Sequence, residues 1–258
     1  LGLNEDLCET LSLAHDLGHT PFGHAGEDIL NQHMDEYGGF DHNIQTLRII
    51  TLLENKYFNF LGLNLTLETL DGLLKHNGPL SNTESFDKIL KINNFKNKIA
   101  LETFPSLEAQ VASISDDIAY NNHDLEDGLR AGLFSIDQLK EIPFISEVIK
   151  KNIKKKSKYR REVLVNQMVR NLISEMVRDV IHTTEKNLKV NKPRSLKDIY
   201  TQNQLIVDFS TKMKNVDVKI KDFLNHNMYN HKKVIVNTNK CKNIINNLFT
   251  YLIKKPNK

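Results

Sequence analysis

Apolar residues return every three or four positions along most of this chain and almost nowhere every second. Leu3, Leu7, Leu11 and Ala14 share one helical face, so residues 3–16 are expected to form an amphipathic helix ending at His15-Asp16. The turn Gly18-His19-Thr20-Pro21 follows, and Pro21 suits the first turn of a second helix that reaches about His33. A loop at Tyr37-Gly38-Gly39-Phe40 leads to a third helix, from His42 through Ile44, Leu47 and Ile50 to Leu53. Residues 66–76 form a short helix stopped by His76-Asn77-Gly78-Pro79. Residues 80–100, rich in Lys and Asn, are expected to be loop or short helices rather than core.

Pro105 marks the first turn of a longer helix. Along it Phe104, Leu107, Val111, Ile114 and Ile118 step at helical spacing as a core stripe. Asp116, Tyr120 and Asp124 recur at i, i+4, i+8, and at about 100° per residue Asp116 lies about 160° around from Ile118. One side of this helix is therefore buried and the other offers an Asp-Tyr-Asp row, with Gly128 as a plausible end. Further helices are predicted over 163–181, 203–225 and 240–253, with an interruption at Pro193. Only Val234-Ile235-Val236 hints at a strand. The fold class is all-α: a bundle over 1–134 carrying the chemistry, and additional C-terminal helices over 135–258 of the same domain.

Composition narrows the class without naming a function. With 40% hydrophobic and 26% charged residues among 258, the chain can bury a sizeable core. No apolar run reaches the roughly 18 residues of a membrane span, and no signal-peptide segment opens the chain. Cys8 and Cys241 form no disulfide framework or zinc-finger spacing, which points to a reducing cytoplasm. A net charge of +3 is too small to imply nucleic acid and does not oppose an anionic substrate. The basic run from Lys150 to Arg161 reads as a solvated segment. The alternative is a patch for a regulatory nucleotide or single-stranded nucleic acid, with Arg160 and Arg161 as the best phosphate partners.

The chemistry concentrates in residues 15–27. His15, His19 and His24 stand with Asp16 and Glu27, among Gly18, Pro21 and Gly23, which would each interrupt a helix. A lone His-Asp pair at a helix end is an ordinary capping feature. The crowding of further ionisable groups makes a hydrolytic metal centre the better account, since hydrolases hold divalent ions with imidazole and carboxylate and keep a position open. Asp116, off the core stripe, is the best distant partner for His15 and Asp16. His24 and Glu27, three apart on one helix, can act as a general-acid pair toward a leaving oxygen.

The stretch His15-Asp16-Leu17-Gly18-His19-Thr20-Pro21-Phe22-Gly23-His24-Ala25-Gly26-Glu27 resembles the signature of HD-superfamily phosphohydrolases, in particular bacterial deoxyguanosine triphosphate triphosphohydrolases. Phe40-Asp41-His42-Asn43, Lys75-His76-Asn77-Gly78-Pro79 and Ser115 through Asp124 agree with that subfamily, and Phe223 to His231 more weakly. The resemblance implies an HD-domain helical bundle that hydrolyses a dNTP to deoxynucleoside and tripolyphosphate with Mg²⁺ or Mn²⁺, as a homo-oligomer. It implies His15, Asp16 and Asp116 as metal ligands and His24, Glu27 and His19 as catalytic residues. His42 would line the phosphate pocket, Tyr120 would pack on the deoxyribose, and Asp124 would accept from its 3′-OH. Hydrolysis of other nucleotides, or a non-catalytic nucleotide- or nucleic-acid-binding subunit, are the alternatives. The family's first metal ligand is a histidine in an upstream Arg-x-x-His segment. No histidine precedes His15 here, so a C-terminal portion of a longer enzyme with weakened metal affinity is expected.

Overall fold

The computed structural model describes residues 1–81, 84–92, 95, 98–153 and 161–256. Among them the structure is helical, without a strand; one isolated bridge joins Asn55 and Gly62. The chain gathers into two compact units, one formed by 2–113, 193–205 and 236–258, the other by Leu1, 114–192 and 206–235.

In the first unit α1 (Glu5–Ala14) starts at Asn4, whose side chain accepts from the Leu7 N–H at 3.0 Å. Next comes α2 (His24–His33), and Pro21 lies outside it rather than in its first turn. The cause is local. Phe22 (φ +66°) and Gly23 (φ +54°) both leave the right-handed helical region, so the helix cannot begin before His24. α3 (His42–Arg48) is capped by Asp41, which accepts from the N–H groups of Asn43 and Ile44, and runs on through a π-helical turn to Leu53. α4 (Leu67–Leu74) follows Thr66, with Leu70, Leu73 and Leu74 inward.

The segment expected to be loop or short helices holds one short helix, α5 (Glu84–Ile92), but that helix belongs to the core: it buries Phe86, Ile89 and Leu90 beside Leu11, Leu47 and Leu70. Its polar surroundings lower the average hydropathy, whereas burial depends on the three apolar positions sharing a face.

α6 (Leu107–Arg130) gives its first turns to this unit and the rest to the other. Its buried positions are Ala109, Ala112, Ile118, Leu125 and Leu129, with Gln110, Asn121 and Asn122. Phe104, Leu107, Val111 and Ile114 are only half-buried. Small and hydrogen-bonded residues thus take the closest-packed places. Asn122, for example, donates to the Ile118 carbonyl at 2.8 Å.

The second unit continues with α7 (Ile136–Leu139), α8 (Pro143–Ile153) and α9 (Arg161–Asn191), the last longer than the predicted 163–181. Residues 154–160 of the basic run lie outside the described residues. After α10 (Leu196–Tyr200, in the first unit), α11 (Thr211–Leu224) begins only at the Ser210 cap. Ile206, Val207 and Phe209, inside the predicted 203–225, are buried in irregular chain. α11 ends in a π-helical turn, Asn225–Tyr229.

α12 (Lys232–Lys254) absorbs Val234-Ile235-Val236. Among the described residues no strand is available to pair with them, and a helix satisfies their backbone internally. Within the first unit α12 meets α2 through Lys242–Asp28 (2.7 Å) and His33–Asn246 (2.9 Å).

Candidate functional site

His15 follows α1 directly, and its Nδ1 lies 2.9 Å from the Ser12 carbonyl. A carbonyl only accepts, so Nδ1 carries the proton. In the neutral ring Nε2 then bears the lone pair, and it faces Asp16 Oδ2 at 3.2 Å. Two acceptors hold that separation only with a proton or a cation shared between them. This donor set, imidazole plus a carboxylate that is more than half exposed, suits a divalent ion with an open coordination position.

Thr46 fixes the turn: its hydroxyl donates to the His15 carbonyl (3.0 Å) and accepts from the Gly18 N–H (2.9 Å). A Cβ on Gly18 would come within 2.1 Å of the His42 carbonyl, so only glycine allows this approach.

Glu27 is the centre of the second cluster. It accepts from the backbone N–H and Nδ1–H of His42, both at 2.9 Å, and from His24 Nδ1–H at 3.1 Å. Burial pushes its carboxyl up, but the His42 and His24 hydrogen bonds outweigh burial and hold it below the usual carboxylate range. His19 stacks on His42 with ring centroids 4.2 Å apart, and meets His24 edge-on at 4.9 Å. Burial, and then the neighbouring His42, lower the His19 pKa below that of a free imidazole, so its neutral form prevails at pH 7. The four residues offer donor atoms all within 4.8 Å of one another. His24 is largely exposed, whereas Glu27 and His42 are mostly covered. His42, expected to line the phosphate pocket, is a closer and more buried partner of Glu27 than His24 is.

On the later turns of α6, in the other unit, Ile118 is buried while Tyr120 is half exposed, as the face separation predicts. Asp124 accepts a short hydrogen bond from the Tyr229 hydroxyl. Burial raises the Asp124 carboxyl against the hydrogen bonds from Tyr229 and Tyr120, and burial with the Asp124 contact lifts the Tyr229 phenol above its ordinary range. Asp117, next to Asp116, is paired with Lys221 at 2.9 Å, and His123 is exposed.

Two residues escaped the sequence-based assignment. The His76 ring lies 4.5 Å from that of His15, and Tyr229 is the partner of Asp124. Both fall inside noticed stretches, Lys75-His76-Asn77-Gly78-Pro79 and Phe223 to His231, but neither had a chemical signal of its own.

Comparison with known proteins adds family membership. The HD domain profile matches residues 1–121, and the phosphohydrolase-associated domain profile matches 207–258. A deoxyguanosinetriphosphate triphosphohydrolase-like protein of Pelagibacter ubique is 53% identical over 258 residues, all of this chain and 70% of that protein. Proteins of the same name are 45% identical in Bartonella tribocorum and 42% in Caulobacter vibrioides, each over 99% of this chain and 65% and 66% of theirs. The chain therefore spans about two thirds of the length of these relatives.

Proposed function

We propose, for a chain that belongs to the deoxyguanosinetriphosphate triphosphohydrolase-like family of HD-domain proteins, metal-dependent hydrolysis of a deoxynucleoside triphosphate to deoxynucleoside and tripolyphosphate. The observation that carries it is Glu27 accepting from His24 and His42 at once, in the same sequence stretch as the His15–Asp16 pair. Double acceptance from two Nδ1–H groups orients both rings at once. A proton-transfer group gains from it, because each ring is fixed with Nε2 as the exchanging atom.

His15 and Asp16 would hold Mg²⁺ or Mn²⁺, with Asp116 added on motif position alone. The chemistry such an ion supplies is polarisation of a phosphoryl oxygen and stabilisation of developing charge. As a water oxygen bonds to the α-phosphorus and the bond to the 5′ oxygen breaks, the exposed His24 gives a proton to that 5′ oxygen from Nε2, and Glu27 keeps the ring oriented. His19, neutral at pH 7, hydrogen-bonds phosphate oxygens. Tyr120 and Asp124 receive the deoxyribose, where Asp124 exchanges the Tyr229 hydroxyl for a sugar hydroxyl or shares it. We place the activity in the cytoplasm, in a homo-oligomer, with dGTP as first candidate; among the described residues no helix is long and apolar enough to cross a membrane.

The test is incubation of the purified chain with each dNTP and with GTP, with Mn²⁺ or Mg²⁺, resolving products by anion exchange. Deoxynucleoside and tripolyphosphate in equal amounts are expected, with no product from the His24→Ala variant. Orthophosphate or pyrophosphate as first product would assign the site to another phosphohydrolase chemistry.

A further inference from the structure

We infer that His76 is an additional imidazole ligand at the metal position of His15, and that the fully buried Lys75 beside it is a positioning residue. The inference rests on the proposed metal site at His15 and adds a residue that the HD signature does not supply.

His15 and His76 approach with ring centroids 4.5 Å apart and planes 33° from parallel, and each offers a donor nitrogen within 4.8 Å of the other's. Two imidazoles bound to one ion at about 2.0–2.1 Å hold their nitrogens roughly 3–4 Å apart, so a side-chain rotation closes the gap. The tautomer of His15 is already set by Ser12, which leaves Nε2 to the ion. A second imidazole this close to a dication avoids electrostatic conflict by presenting its own lone pair.

The backbone leading into His76 is anchored through Lys75. Lys75 caps α4 and is wholly buried. Its Nζ meets Asp71 Oδ1 at 2.6 Å and Thr103 Oγ1 at 2.8 Å, and lies 4.4 Å above the Tyr200 ring. Tyr200 in turn donates to Asp71 at 3.1 Å. The Lys75 carbonyl accepts from the Gly78 N–H at 2.8 Å, closing a turn over His76 and Asn77 that Gly78 permits with φ +100°. A buried ion pair contributes little net stability compared with apolar residues of the same volume. It does fix a position, and here that position is the peptide leading into His76. His76 stands far from His15 along the chain, and this arrangement brings the two rings together.

The experiment is Mn²⁺ titration of the full chain by calorimetry, with electron spin echo envelope modulation to count coordinated imidazole nitrogens. Wild type, His15→Ala, His76→Ala, His76→Gln and Lys75→Met are compared, and circular dichroism checks each fold. Wild type should show two coordinated imidazoles, and His76→Ala one, with affinity about 100-fold weaker. Lys75→Met should weaken affinity about 10-fold, within the range for residues that support a ligand. His76→Gln, which returns a neutral donor, should fall between wild type and His76→Ala. Unchanged affinity and nitrogen count in a folded His76→Ala would overturn the inference and leave the His15 site standing. Binding in wild type that His15→Ala does not reduce would overturn the metal site itself, and this inference with it.

Discussion

Replacing Glu27 by Gln keeps the side chain's shape and removes its charge, so its consequences follow from the hydrogen-bond geometry. The carboxylate accepts from three N–H groups, two on His42 and one on His24. Gln has one accepting oxygen. Turned toward His42, it keeps both 2.9 Å contacts and puts its amide NH₂ against His24 Nδ1, donor against donor. His24 must then move its proton to Nε2 or rotate away.

Hydrogen bonds to charged groups contribute about 1.5–3 kcal/mol each. The His24 bond counts for little because that ring is mostly exposed, so the loss comes from weakening the two covered His42 bonds, about 1–2 kcal/mol in all. The catalytic effect is larger: a mis-set proton donor should lower kcat about 10²- to 10⁴-fold with KM little changed. Urea denaturation reads the first number, steady-state kinetics the second, and ¹⁵N-edited imidazole NMR the tautomer of His24. A Gln variant with kcat within about threefold of wild type and His24 still protonated at Nδ1 would refute the role of Glu27.

Three further outcomes are expected. Lys75→Met leaves the Asp71 carboxylate buried without its cation and should destabilise the fold by about 3–5 kcal/mol, whereas Lys75→Met with Asp71→Leu should recover most of it; equal midpoints for both variants would contradict the network. Thr46→Val removes the acceptor of the Gly18 N–H and the donor to His15, costing about 1–3 kcal/mol in denaturant melts and loosening Mn²⁺ binding. The lowered pKa of His19 means that the unfolded chain binds more protons than the folded one just below pH 6.5. Its contribution to stability should thus be full above pH 6.5 and shrink as pH falls through the lower folded value. His19→Gln should flatten the denaturation midpoint between pH 7.5 and 5.5, and an unflattened profile would place the titration elsewhere.

The parts legible in the sequence are those whose cause is local. The helix of Leu3, Leu7 and Leu11, the break at Gly18, the opposed faces of Ile118 and Tyr120, and the His24–Glu27 contact all follow from spacing along one segment. The burial of α5 was obscured because polar neighbours diluted a three-residue apolar face. The late start of α11 was obscured because Ile206 and Val207 are buried without being helical. His42 at Glu27 joins residues 15 apart, and His15–His76 and Asp124–Tyr229 are further separated still. Periodicity carries no information about such pairings, and only the resemblance to a family, or the structure, brings them together.

The central claim is cleavage of the bond between the 5′ oxygen and the α-phosphorus, with proton donation by the His24–Glu27–His42 group. Hydrolysis of dGTP with Mn²⁺ in ¹⁸O-water, followed by ³¹P NMR and mass spectrometry, tests it most directly. The account predicts one ¹⁸O on a terminal phosphate of tripolyphosphate, none in the deoxyguanosine, and no turnover by His24→Ala. Label in orthophosphate, or in the deoxyguanosine 5′ oxygen, would contradict it.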